Sequence, residues 1–234
     1  MGYIPIFLDV TGRRCVVVGG GEVAARKVES LLAAGAEVTI ISPVLSAPSL
    51  SAIANRGLAT HVARAYQRGD ISGCALAYAA TDDRDLHRAL ADEARALGIP
   101  LNVVDVPELC SFIAPAVVKR GALQIAVSTG GAAPAFAARL RRELEKQFGI
   151  EYGIALMVLR AARRQLHGGE LDPASRMRRL KDLAESRLPD AIAARDLAEV
   201  DKILAAHLGD GVTLAALGID ASKLGIADGP ELQH

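Results

Sequence analysis

The chain has 234 residues, with 27 Lys/Arg balanced by 27 Asp/Glu, 51% hydrophobic residues and only 3% aromatic ones. That size suits one large or two small globular domains, and the lack of Trp and scarcity of other aromatics speak against a base-stacking nucleic-acid binder. No apolar run reaches the roughly 18 residues of a membrane span, and Met1-Gly2-Tyr3-Ile4-Pro5 lacks the basic start of a signal peptide; a soluble, cytoplasmic protein with no membrane partner is expected. Cys15, Cys74 and Cys110 are odd in number and widely spaced, which argues against a disulfide framework and a cysteine metal site. The neutral total hides an asymmetry: residues 114–187 carry 14 Lys/Arg against 7 Asp/Glu, whereas residues 188–234 carry 3 against 8. A basic middle segment is either solvated helix surface or a landing place for an anion.

Tyr3 to Leu8 is apolar and reads as an edge segment, because Pro5 cannot donate to a sheet ladder. Next, the apolar run Cys15-Val16-Val17-Val18 enters Gly19-Gly20-Gly21, and an Ala-rich amphipathic run leaves it. Strand, tight turn and helix follow from that order. Gly19, Gly21 and Ala24 fall on the G-x-G-x-x-[G/A] dinucleotide fingerprint. In that fingerprint the first glycine permits the turn and the second lets backbone approach a pyrophosphate. The small third residue brings helix and strand together. The helix predicted from Glu22 to Ala34 points its N-terminal N–H groups at the phosphates, and Gly35 is placed to end it.

A second strand, Val38 to Ile41, ends at Ser42-Pro43. An acidic residue is expected there for the ribose hydroxyls; Ser42 can bind a ribose hydroxyl less strongly, and with no Arg following to hold a 2′-phosphate, NAD is favoured over NADP. A short helix over Pro48 to Gly57 and strands over Leu58–Ala63 and Gly73–Ala80 follow. Asp82 or Asp83 caps a helix running to Leu97, and Pro100–Val104 is a fifth strand ending at Asp105. Strand alternating with helix predicts a parallel, doubly wound α/β sheet. Ligands bind such sheets at the carboxyl ends of the strands, which singles out the glycine turn, Ser42-Pro43, Thr81-Asp82 and Asp105. Asp105 is either a catalytic carboxylate facing the crevice or a turn residue, since Asp-x-Pro is a common turn sequence.

Two short apolar runs, Ser111–Val118 and Leu123–Ser128, precede a second glycine turn, Ser128-Thr129-Gly130-Gly131. Pro134 then opens a helix to about Phe148. Helical segments over Tyr152–Leu166, Pro173–Arg187 and Leu197–Leu208 follow, with loops at Gly168-Gly169 and Leu188-Pro189 and a fraying stretch after Gly209. This places boundaries near 113 and 150: an NAD-binding domain over 1–113, a middle region over 114–150 and a helical domain over 151–234.

Ile4-Pro5-Ile6-Phe7, the run Val18 to Lys27, Ala80-Thr81-Asp82-Asp83, Asn102-Val103-Val104-Asp105 and the run Ser128 to Pro134 occur in that order. Together they resemble the siroheme synthase family, specifically its precorrin-2 dehydrogenase and sirohydrochlorin ferrochelatase module, over about residues 3–147. The resemblance implies a Rossmann domain, a middle region that makes a homodimer, and a helical domain. It implies NAD-dependent oxidation of precorrin-2 to sirohydrochlorin, then in many members insertion of ferrous iron as a substrate to give siroheme. The family's key aspartate matches Asp105 and its turn serine Ser128; its NAD-contacting positions match Glu22, Val23, Pro43 and Val44. Thr81, Asp82 and Asn102 are assigned with them to the cofactor. The chain ends without the methyltransferase domain of some members, so no methyl transfer is implied.

The substrate's eight carboxylates would give the basic segment a purpose, with Lys119, Arg120, Arg139 and Arg142 as the main candidates beside Arg141, Arg160, Arg163 and Arg164. No preformed metal site is needed, because the macrocycle is itself the ligand. Two other readings stay open: a dehydrogenase without chelatase activity, and a non-catalytic NAD-sensing module.

Overall fold

The computed structural model describes residues 2–169, 171–220 and 222. The chain divides into two compact units, one running to Ala114 with Gly130–Ala132, the other holding Pro115–Thr129 and the chain from Ala133 on. The segment expected to dimerise, 114–150, falls almost wholly within the second.

The first unit is a parallel sheet of five strands in the order β3-β2-β1-β4-β5. Its strands are β1 (Arg14–Val18), β2 (Glu37–Ile41), β3 (Thr60–Val62), β4 (Leu76–Ala79) and β5 (Leu101–Val103). The helices are α1 (Glu22–Leu32), α2 (Pro48–Asn55) and α3 (Arg84–Leu97). Central β1 is apolar and buried from Cys15 to Val18 because both its faces are covered. Cys15 and Val17 pack with Val28 and Leu31 of α1 and Leu50 of α2. Val16 and Val18 pack on the other side with Leu90, Ala91 and Ala94 of α3. Asp83 caps α3, accepting from the Asp85 and Leu86 N–H groups at 3.0 Å each, an arrangement that contributes about 1 kcal/mol.

In the second unit, β6 (Ala116–Arg120) and β7 (Leu123–Val127) form an antiparallel hairpin. Gly121, at φ +57°, supplies the positive φ that its two-residue turn requires. After α4 (Pro134–Gln147) come α5 (Ile150–His167), α6 (Pro173–Ala184), α7 (Leu188–Ala193) and α8 (Leu197–Leu208). These four share a core built on Val158, Leu183, Leu188, Ile192, Val200 and Leu204. Gly153 lets α5 pass close to the hairpin, since a Cβ there would stand 2.6 Å from the Arg120 carbonyl oxygen.

Several expectations need correction. Tyr3 to Leu8 joins no sheet and leaves Ile4, Ile6 and Phe7 exposed; apolarity alone does not make a strand. The loop expected at Leu188-Pro189 is the first turn of α7, where proline is tolerated, and Leu188, Ala191 and Ile192 bury its inner face. The stretch after Gly209 does not fray at its start: Leu214 is buried, and its N–H donates to Asp201 Oδ1 at 2.8 Å. Residues 221 and 223–234 of that stretch lie outside the described residues.

Candidate functional site: the carboxyl ends of the parallel strands

The strand order reverses between β1 and β4, so the crevice of the sheet opens where those two strands end. Gly19 sits there at φ +129°, and a Cβ on it would overlap the Ala80 carbonyl oxygen. A Cβ on Gly20 would overlap the Val44 carbonyl oxygen and stand 2.7 Å from Ser42 Oγ. Gly20 also binds the following loop, its carbonyl accepting from the N–H of Ser46 at 2.9 Å and of Ala47 at 3.1 Å. Gly21 differs. It is the N-cap of α1, with φ −91°, and no side chain caps that first turn. The nearest atom to a Cβ on Gly21 is Ser46 Oγ at 3.9 Å, so its solvent side is open. A glycine cradle against an uncapped helix N-terminus fits a dinucleotide's pyrophosphate, with Glu22 and Val23 supplying the first helical N–H groups. The requirement for Gly20 was not visible in the fingerprint; it arises from the Val44 carbonyl, brought close by the loop after β2.

Ser42 is buried, and its hydroxyl donates to Val44 O at 2.8 Å. The donor expected for a ribose is thus spent on shaping the loop that presents Pro43 and Val44, both exposed. Thr81 follows β4 and is tied to buried His87, whose Nε2 lies 2.9 Å from Thr81 O and 3.2 Å from Thr81 Oγ1. Asp82 is exposed beside it. Asn102 turns its amide donors to Phe112 O at 3.0 Å and Cys110 Sγ at 3.6 Å, which leaves only its carbonyl oxygen for a cofactor.

Asp105 lies just past β5, exposed, at φ +60°. Only one other non-glycine among the described residues, Arg195, has a positive φ. Aspartate tolerates that region better than most residues, yet the conformation still costs about 1 kcal/mol or more. Lys27 on α1 was not singled out from the sequence. Its Nζ lies 5.2 Å from the centre of the Tyr78 ring, and Tyr78 stacks edge-on against Phe112 at 5.4 Å. Burial, and then Arg26, push the Lys27 ammonium below its ordinary pKa, while the Asp105 carboxylate pulls it back up. A cation thus stands within electrostatic reach of Asp105. The sequence signal was present: Lys27 occupies the apolar stripe of α1, among Ala24, Val28 and Leu31.

In the second unit, Ser128 is exposed immediately after β7. Arg120 is not free to hold a substrate. Its guanidinium donates to the carbonyls of Phe148 at 2.9 Å, Lys119 at 3.0 Å and Glu145 at 3.1 Å, closing the C-terminus of α4. Arg139 pairs with Glu143 at 2.9 Å, and Arg141 with Glu145 at 2.6 Å. Lys119 and Arg142 are exposed and form no ion pair among the described residues. Those residues also hold no cluster of metal-ligating side chains and no helix long and apolar enough to cross a membrane.

Fold and glycine turn together define a Rossmann-type dinucleotide-binding unit, followed in the same chain by a hairpin-and-helix unit. Residues 6–116 match the family model described as "Putative NAD(P)-binding", and residues 120–147 the one described as "Sirohaem biosynthesis protein central". The siroheme synthase of Methylobacillus flagellatus is 46% identical over 153 residues, 65% of this chain and 32% of that protein. The siroheme synthase of Pseudomonas aeruginosa is 39% identical over 220 residues, 93% of this chain and 47% of its own length. The chain is thus similar to siroheme synthases over as much as 93% of its residues, and spans about half the length of those curated relatives or less. It also resembles the solved structure of SirC, precorrin-2 dehydrogenase, with a TM-score of 0.70 over 86% of this chain and 97% of that one. At 21% identity that likeness is one of fold.

Proposed function

We propose that the chain oxidises precorrin-2 to sirohydrochlorin with NAD and then serves ferrous iron insertion into the product, acting as a cytoplasmic homodimer. The observation that carries this reading is Asp105, a carboxylate held at a left-handed φ of +60° past the edge strand of a sheet that also carries the glycine cradle. Strain of that kind persists where the surroundings enforce it, and it clusters at functional sites.

Bound NAD supplies the hydride acceptor. The chain supplies the rest. Gly19 and Gly20 close the turn, and the first N–H groups of α1, at Glu22 and Val23, receive the pyrophosphate. Pro43 and Val44 offer an apolar surface to the adenosine end, with Thr81, Asp82 and the Asn102 carbonyl along the remaining strand ends. Oxidation releases one hydride and one proton, and the Asp105 carboxylate accepts the proton. Lys27 places a positive charge near that carboxylate. Iron insertion releases two pyrrole N–H protons, for which the same carboxylate is the acceptor. Lys119 and Arg142, and Arg139 beyond its pairing with Glu143, hold substrate carboxylates. Ser128 is assigned to the reaction with Asp105, and residues 114–150 to the dimer.

Asp105→Asn tests the reading, because it keeps shape and removes charge and basicity. NAD and precorrin-2 should still bind, while NADH formation falls by about 10²–10⁴-fold, the range for loss of a general base. Iron insertion into supplied sirohydrochlorin should fall with it. A variant that oxidises precorrin-2 at the wild-type rate would return Asp105 to the role of turn residue. Binding of NAD without turnover by the wild-type chain would favour a sensor.

A further inference from the structure

β5 is an edge strand, so the N–H and C=O groups on its outer side need partners from outside the sheet. Two residues, Ser111 and Cys110, provide them. Ser111 Oγ accepts from Leu101 N at 2.8 Å, and Ser111 N donates to Leu101 O at 2.9 Å. Two residues along, Val103 N donates to Cys110 Sγ at 3.2 Å. The same sulfur lies 3.2 Å from Val103 O and 3.4 Å from Val106 O. Those carbonyls belong to the first and last residues of the turn Val103–Val106, which Val106 N closes onto Val103 O at 3.3 Å. Asp105 is inside that turn, at φ +60°. Cys110 therefore grips both ends of the strained turn, while Asn102 Nδ2 donates to its sulfur at 3.6 Å.

The thiol suits this task chemically. It accepts from the Val103 N–H and the Asn102 amide and donates its own hydrogen to either carbonyl. Burial raises its pKa, the Val103 N–H opposes that, and Glu108 adds to the rise, so sulfur keeps the proton it donates at neutral pH. Methionine or valine here would offer no donor, and serine offers the same pattern on a shorter bond.

We propose that Cys110 is a positioning residue for the reaction: its thiol locks the Val103–Val106 turn so that the Asp105 carboxylate is presented in the one orientation that accepts the substrate proton. This rests on Asp105 as proton acceptor. Cys110 touches neither substrate nor cofactor in this scheme. It acts through the geometry of the carboxylate, where small displacements are costly to rate and cheap to binding.

The test uses the full chain with Cys110→Ala and Cys110→Ser, each alone and combined with Asp105→Asn. Cys110→Ala should lower kcat for NADH formation by about tenfold or more, with NAD affinity and tetrapyrrole KM changed by less than about twofold. Cys110→Ser should recover part of the loss. In the Asp105→Asn background, Cys110→Ala should cost less than about a further twofold, because both act on one group. Amide hydrogen exchange at Val103 and Val106 should accelerate in Cys110→Ala while exchange in β1 stays as it was. Unchanged exchange at those amides overturns the proposal, whatever Asp105 does. So does an unaltered kcat in Cys110→Ala when Asp105→Asn is inactive. Should Asp105→Asn keep its activity, the proton-acceptor reading fails and the positioning role fails with it; the exchange result still shows whether the thiol holds the turn.

Discussion

Gly21→Asp separates folding from cofactor binding. Gly21 is the N-cap of α1 at φ −91° and ψ −175°, extended backbone that aspartate adopts freely, and its Cβ would meet nothing closer than 3.9 Å. Aspartate is among the best N-cap residues, better than glycine by a few tenths of a kcal/mol. Stability should therefore hold or rise slightly, with Tm moving by no more than about 2–3 °C. The new carboxylate would sit over the first-turn N–H groups that a pyrophosphate needs. Two unit charges about 6 Å apart at an effective dielectric near 20 repel by about 2.8 kcal/mol, or about a hundredfold in affinity; salt screening trims this towards tenfold. Calorimetric titration with NAD and a thermal melt of the same sample read both quantities. An NAD Kd within about threefold of wild type in a folded variant would remove this turn from the cofactor site. A large fall in Tm would instead refute the N-cap geometry.

Three further outcomes follow from the same structure. Gly20→Ala, whose Cβ would overlap the Val44 carbonyl, should destabilise the protein by about 1–3 kcal/mol in urea unfolding; a neutral result would mean the loop after β2 yields easily. Asp70 accepts from Arg64 at 2.7 and 2.8 Å and from Gln67 N at 2.8 Å, and the Arg64 hydrogen bonds hold its carboxyl below the usual value of 3.8. Because the folded pKa is depressed, the stability it adds is present above that value and lost as pH falls through the folded pKa, so the gap between wild type and Asp70→Asn in urea midpoint should close only below about pH 4. A gap that persists in strong acid would point to packing instead. Raising salt should weaken tetrapyrrole binding far more than NAD binding, and Lys119→Glu with Arg142→Glu should act in the same direction; indifference to both would return these residues to solvated surface.

What the sequence showed of the fold was local. A buried strand, a glycine turn and an Ala-rich helix contiguous in the chain gave the Rossmann start, and repetition of that unit gave the parallel sheet. Legibility ended where distant segments meet. Gly20 is needed because the Val44 carbonyl is folded over it, and the Ser42 hydroxyl turns away from a ribose for the same reason. Tyr3 to Leu8 had the composition of a strand but found no ladder. Pro189 read as a breaker and was in fact a helix opener, because the burial of Leu188, Ala191 and Ile192 was the stronger signal. Cys110 stood out in the sequence only as one of three widely spaced cysteines. Its work on the Asp105 turn depends on the chain returning past the edge of β5, a route that spacing does not encode.

The basic segment shows how charge counting misleads in a definite direction. A surplus of Lys/Arg over residues 114–187 treats every cation as available, but availability depends on what each guanidinium already binds. Arg120 spends its donors on two carbonyls at the end of α4, Glu145 and Phe148, and on that of Lys119, and a positive group at that helix end also complements the helix dipole; releasing it to a substrate would uncap that helix. Arg139 and Arg141 each face a glutamate one turn along α4, and an exposed pair such as Arg139–Glu143 is worth only a few tenths of a kcal/mol. A polyanion can therefore recruit Arg139 at little cost, whereas recruiting Arg120 would forfeit two partly buried hydrogen bonds and one exposed one. Net charge sets the long-range attraction for an acidic ligand, and the strength of the existing partner decides which cations can answer it.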